Sequence, residues 1–156
     1  MKIDDPVFGT LGTDPDLPYL FWRGKVVLPF LGRTTVLVSK VEGSVSDLQR
    51  EACSNFVKNI EDRLEVSMQR VLEDCLPYPE ILSKAGPVEV FNSDFTKLLD
   101  FLRYPCVCVS PKHRSMGVLI GLSFPDVEFD QEYSIGVSFM GERIFDVGDA
   151  GCGIIP

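Results

Sequence analysis

The chain has 156 residues, with 15 Lys and Arg against 23 Asp and Glu, a formal net charge of −8 and 45% hydrophobic residues, the size and balance of one folded domain rather than a disordered chain. The acidic sign excludes a general nucleic-acid binder or anionic-membrane binder, because both rely on clustered Lys and Arg to offset phosphate charge; it leaves a basic partner open. The lone histidine, His113, removes two-histidine zinc sites and leaves one candidate base for any Ser-His or Cys-His arrangement.

The N-terminus, Met1-Lys2-Ile3-Asp4-Asp5-Pro6, lacks the basic and apolar regions of a signal peptide, and no window approaches the roughly 18 apolar residues of a membrane-spanning helix. Cys53, Cys75, Cys106, Cys108 and Cys152 form an odd set without a CxxC pair. Reduced thiols in the cytoplasm are therefore expected, rather than a disulfide framework or zinc ribbon.

Residues 7 to 12 predict a short first strand, followed by a loop of turn formers at Thr13 to Pro18. Tyr19 to Phe30 and Thr34 to Val41 are rich in β-branched and aromatic residues, and Leu31-Gly32-Arg33 between them predicts an antiparallel hairpin. In the second run neither alternating face is fully polar, so that strand is expected to be covered on both sides for part of its length.

The period changes after Gly43. Ser46 with Gln49 three residues on has the form of a capping box, with Asp47 and Glu51 in the first turn. Leu48, Ala52, Phe56, Ile60, Leu64, Met68, Val71 or Leu72, and Cys75 then recur at steps of three or four, predicting one helix about 45 Å long. Pro77 and Pro79 end it. Tyr78 to Pro87 reads as a loop with one helical turn at Glu80 to Lys84, and Asn92 or Ser93 caps a short helix through Phe95, Leu98, Leu99 and Leu102.

Period two returns in the last third. Cys106 to Val109, Gly117 to Phe124, Val127 to Val137 and Arg143 to Val147 read as strands, with turns at Pro111 to Ser115, at Pro125-Asp126 and around Met140-Gly141-Glu142. The order predicts a single α+β domain over 1–156, a mainly antiparallel sheet of N-terminal strands plus a C-terminal meander, covered by one long and one short helix.

Asp126, Glu128, Asp130 and Glu132 alternate with Val127, Phe129, Gln131 and Tyr133. On a strand these carboxylates share one face at about 6.5 to 7 Å spacing. Such a row belongs in solvent, guarding a sheet edge, or against a cationic partner. Calcium ligation fits less well, because it needs oxygens converging from a loop. From Asp126 to Asp149 seven acids face one base, Arg143, so this stretch alone supplies −6 of the net −8. Cys106 and Cys108, on one strand face, read as buried packing; His113 reads as an exposed turn residue, and Trp22 as a core anchor. The glycine-rich Gly148 to Gly153 lacks the Lys-Ser/Thr and helix of a phosphate loop.

Phe129-Asp130-Gln131-Glu132-Tyr133-Ser134-Ile135-Gly136-Val137-Ser138-Phe139, then Gly141 and Arg143 to Gly148, resembles the closing motif of a group of small bacterial domains of unknown function. There an aromatic-Asp-x-Glu-His-Gly-Leu-Gly-Val-x-Phe stretch leads into a strand ending in glycine. Val7-Phe8-Gly9 to Trp22-Arg23-Gly24-Lys25-Val26-Val27-Leu28, then a hairpin and long helix, is similar in outline. Tyr133 stands where the group usually has His, and Ser134 where it usually has Gly. Members are often small acidic proteins encoded beside contact-dependent or secreted toxins, and several look like immunity proteins. The resemblance implies a cytoplasmic, non-catalytic neutraliser of a cognate toxin domain, itself basic, with no cofactor or metal. Its contact zone would be Asp126, Glu128, Asp130, Glu132, Asp146 and Asp149. Two other readings compete: a ligand-binding domain with a pocket between the long helix and the sheet and Cys106, Cys108 or His113 at its mouth, and an adaptor with Phe21 and Trp22 in an exposed oligomer contact.

Overall fold

Two buried aspartates shape the N-terminal region. In the computed structural model, which describes residues 1–75, 94–100, 102–113, 117–124, 126–127 and 135–148, strand β1 (Lys2–Asp5) turns back on β2 (Gly9–Thr13). The Asp5 carboxylate accepts the Val7 and Phe8 backbone N–H groups at 2.9 and 3.1 Å, so Pro6 to Phe8 form a turn and the expected strand over 7 to 12 begins only at Gly9. Asp14 does the same for the next loop, accepting from Asp16 and Leu17 at 3.0 and 2.7 Å and pairing with Arg23 at 3.3 Å. Strands β3 (Phe21–Leu28) and β4 (Gly32–Ser39) form the expected hairpin.

The helical stretch is two helices, α1 (Asp47–Lys58) and α2 (Ile60–Cys75), where the apolar stripe predicts one. The break is at Asn59, with φ −112° and ψ 27°. Its side-chain amide donates to the Asn55 carbonyl at 2.9 Å and to Asn55 Oδ1 at 3.1 Å, a local alternative to the helical ladder. The apolar stripe continues through the break and so conceals it. The capping box at Ser46 is present, but in its first two turns the inward face of α1 is Gln49 and Cys53 rather than Leu48 and Ala52, rejoining the expected stripe at Phe56. Leu48 is 47% exposed, while Gln49, Cys53 and Phe56 point into the core.

Helix α3 (Phe95–Leu99) is capped by Asp94, whose Oδ1 accepts the Thr96 N–H at 2.9 Å; this replaces the expected caps Asn92 or Ser93, which lie outside the described residues with the expected turn at Glu80 to Lys84. Leu102 leaves the helix for β5 (Leu102–Arg103). Then come β6 (Cys106–His113), β7 (Gly117–Phe124), β8 (Asp126–Val127), β9 (Ile135–Met140) and β10 (Arg143–Gly148). The sheet runs β1-β2-β3-β4-β6-β7-β9-β10, and β5 pairs with β8 separately. Every described pair is antiparallel except β4 with β6. A parallel pair needs a crossover, and the helices lie within it.

The helices pack on the face presenting Val36, Val38, Val107, Val109, Leu122 and Phe139. Helix α1 lies on β6 and β7, and α2 meets β10 and α3. Phe56 and Phe139 hold ring centroids 5.8 Å apart, within the favoured range for aromatic pairs. The other face of the central strands presents Cys106, Cys108, Ser110, Ser123 and Ser138, all buried, so two-sided coverage is most complete on β6, β7 and β9. Among the described residues no helix is long and apolar enough to cross a membrane.

Candidate functional site

The expected acidic surface is placed only in part. Asp126 opens β8, its backbone paired with Arg103 of β5. Glu128, Asp130, Glu132 and Asp149 lie outside the described residues. The strand expected over Val127 to Val137 is described as β8, ending at Val127, and β9, starting at Ile135. Asp146 is exposed on β10, the last strand in the sheet order, and its carboxylate accepts the Val147 N–H at 2.9 Å. A pairing irregularity between Ile144 and Asp146 leaves Phe145 half exposed beside it. Asp146 and Arg70 of α2 share a depression of about 240 Å³. Glu142 at the β9–β10 turn and Arg143 at the start of β10 are exposed with Asp146, so among the described residues of this hairpin two acids stand with one base.

The sulfur and imidazole candidates do not assemble. Cys106 and Cys108 share one face of β6, as expected, and are buried. Burial pushes the Cys106 thiol up to about 11, with the Ser123 hydroxyl acting in the opposite sense. His113 is a correction: β6 runs past an irregularity between Val109 and Lys112, so the histidine ends a strand opposite Gly117, half-buried, instead of sitting exposed in a turn. Its Nε2 is buried without a hydrogen-bond partner among the described residues. Among the described residues no group of His, Cys, Asp and Glu is placed to hold a metal. Phe21 and Trp22 are each 1% exposed, which removes them from any exposed oligomer contact. Trp22 is the expected core anchor, with Lys40 Nζ 4.2 Å from its ring centroid.

A cavity does lie between the first long helix and the sheet, but with a different sulfur at its wall. It has a volume of about 480 Å³ and is bounded by Pro6 to Phe8, by Val26 to Leu28 of β3, by Val36 and Val107, and by Cys53, Ser54, Val57 and Lys58 of α1. Burial pushes the Cys53 thiol up to about 12, so it is a neutral, apolar wall group. The Pro6 to Phe8 wall is fixed by Asp5, whose carboxylate receives Arg50 Nε at 2.9 Å; Arg50 Nη1 also donates to Asp47 at 2.6 Å. Burial alone would raise the Asp5 carboxyl, but the Val7 and Phe8 N–H donors and the Arg50 guanidinium outweigh it and hold it below the usual carboxylate range.

Sequence reasoning missed Gln49 as a buried residue. Its Nε2 donates to the Ser39 carbonyl at 2.8 Å and the Ser110 carbonyl at 3.1 Å, while Oε1 accepts the Ser46 N–H at 2.9 Å. It ties α1 to the far ends of the parallel pair. The capping-box spacing marked the residue, but nothing local marked its reach to Ser110, 61 positions away. No protein-family model, curated protein or solved structure matches this chain.

Proposed function

We propose that the chain is a non-catalytic protein-binding domain that captures a basic partner through its acidic C-terminal quarter, in the manner of an immunity protein neutralising a cognate toxin. The observation that carries this reading is the concentration of charge: seven acids against one base between Asp126 and Asp149. The exposed Glu142 and Asp146 on the outermost hairpin are consistent with it, as is the resemblance of the closing motif. A patch of one sign accelerates encounter with an oppositely charged protein and sets which partners are tolerated. The contact zone is Asp126, Glu128, Asp130, Glu132, Asp146 and Asp149.

The test is co-expression with the C-terminal domain of a large secreted protein encoded in the adjacent reading frame. Growth should be rescued, the two chains should co-purify, and the association rate should fall steeply with added salt. Replacing Asp126, Glu128 and Asp130 by Lys should slow association by about tenfold or more at low salt. Neutralisation and association rate unchanged by the triple replacement would overturn the site, and no rescue of growth would overturn the function.

A further inference from the structure

We propose that the cavity between α1 and strands β3, β4 and β6 binds a small amphipathic monoanion, an aliphatic carboxylate whose chain fills the cavity and whose head meets Lys58 at the rim. At about 480 Å³ the cavity lies within the range of small-molecule pockets, roughly 300 to 1,000 Å³. Filled with liquid water it would hold about sixteen molecules at about 30 Å³ each. Its walls, from Phe8, Val26, Leu28, Val36 and Val107, offer those waters few partners. Replacing them by methylenes is favourable, by about fourfold in affinity per buried CH₂.

The rim specifies the head group. Ser54 and Lys58 supply the polar side chains of the lining, and no Asp or Glu contributes to it. They stand four residues apart on α1, hence on one helical face, and both are exposed. No described carboxylate pairs with Lys58. A hydroxyl and an ammonium side by side above an apolar cavity match a carboxylate on an alkyl chain. The two ends of the site are held in place independently of any ligand, by the Asp5–Arg50 pair behind Pro6 to Phe8 and by the helix break after Lys58.

The test titrates hexanoate, octanoate and octanol into the full chain, followed by backbone amide shifts. Saturable shifts are expected at Val26, Val36, Cys53 and Val107, with octanoate about fifteenfold tighter than hexanoate for its two extra methylenes. Lys58→Met should weaken octanoate about three- to fivefold while leaving octanol unchanged, the scale of an exposed charge contact. Val57→Trp should abolish binding of all three. Should that variant fail to fold, Ser54→Trp, made at an exposed position, closes the mouth instead. Asp146→Lys should not alter octanoate affinity, which separates this site from the proposed protein contact. The proposal is overturned if shifts do not saturate or cluster away from the cavity, or if Lys58→Met leaves the octanoate-to-octanol ratio unchanged.

Discussion

Gln49 makes the sharpest stability test, because one side chain serves three backbone groups in a fully buried place. Gln49→Ala leaves the Ser39 and Ser110 carbonyls without their side-chain donor and the Ser46 N–H without its acceptor. A buried polar group stripped of its partner costs about 1 to 3 kcal/mol. The strand ladder and the helix start relieve part of this, so the loss is expected at about 3 to 5 kcal/mol, including the cavity left by the shortened side chain. Gln49→Met refills the volume and isolates the polar share, expected at about 2 to 3 kcal/mol. Ser46→Ala, which removes the conventional cap at Gln49 N and the hydroxyl's bond to Gln49 Oε1, should cost about 1 kcal/mol. Because the two residues share one capping box, the double variant Ser46→Ala, Gln49→Ala should cost less than the sum. Urea unfolding at constant m reads all four values. A Gln49→Met variant no more destabilised than Ser46→Ala would show that the strand-bridging bonds contribute nothing.

The Asp5 carboxyl is held below its ordinary value of 3.8, so its contribution is fully present above that pH and is lost as pH falls through the lower, folded pKa. Asp5→Asn should therefore cost about 2 kcal/mol at neutral pH, and its gap from the wild type should narrow below about pH 4; a gap constant from neutral to acid would refute the assignment. Gly24→Ala would place a Cβ 2.7 Å from Leu11 Cδ2 and 3.3 Å from the Thr10 carbonyl, so a loss of about 1 to 3 kcal/mol is expected in thermal unfolding, and an unchanged midpoint would show that β2 lies farther from β3. In a variant with Cys75 and Cys152 replaced by Ser, the thiols at about 12 and about 11 should resist alkylation at pH 8 until urea is added, because a group at about 12 is ionised there to only about one part in ten thousand. Fast labelling of Cys53 in the native state would contradict its burial.

What the sequence made legible is what local pattern encodes. The β3–β4 hairpin follows from its β-branched runs and intervening turn, β7 from the apolar stretch Gly117 to Phe124, and the start of α1 from Ser46 with Gln49. What it concealed depends on partners distant in the chain or on single side chains. Lys2-Ile3-Asp4-Asp5 has too little apolar content to read as a strand, and β1 exists because Lys2 to Asp5 pair along β2. The parallel pairing of β4 with β6 aligns Thr35 to Val38 with Cys106 to Val109, a register no turn sequence records. At the candidate sites, the expected pocket between helix and sheet is present, yet Cys53 lines it rather than Cys106, Cys108 or His113. Strand alternation explains this, since Val107 and Val109 face the helices while Cys106 and Cys108 face away.

The two features of α1 that periodicity missed define the space beneath it. At its start, Gln49 faces the sheet with hydrogen bonds to strand carbonyls where periodicity predicts an apolar contact, with Leu48 outward and Cys53 inward. At its end, Asn59 stops the helix directly after Lys58, the residue at the cavity rim. A helix with Leu48 and Ala52 inward in place of Gln49 and Cys53 would present a different face to the sheet, without Cys53 at the cavity wall. The sheet order then keeps this cavity apart from Asp146 on β10. From β4 to β10 there are four steps through β6, β7 and β9, about 19 Å at strand spacing, beyond the screening length of about 8 to 10 Å at physiological salt. Charge changes at Asp146 and occupancy at Lys58 should therefore act independently, and a double variant Asp146→Lys, Lys58→Met should show each effect at its single-variant size. Coupling between them above about 0.5 kcal/mol would mean that the two sites communicate through the sheet or the helices rather than merely sharing a fold.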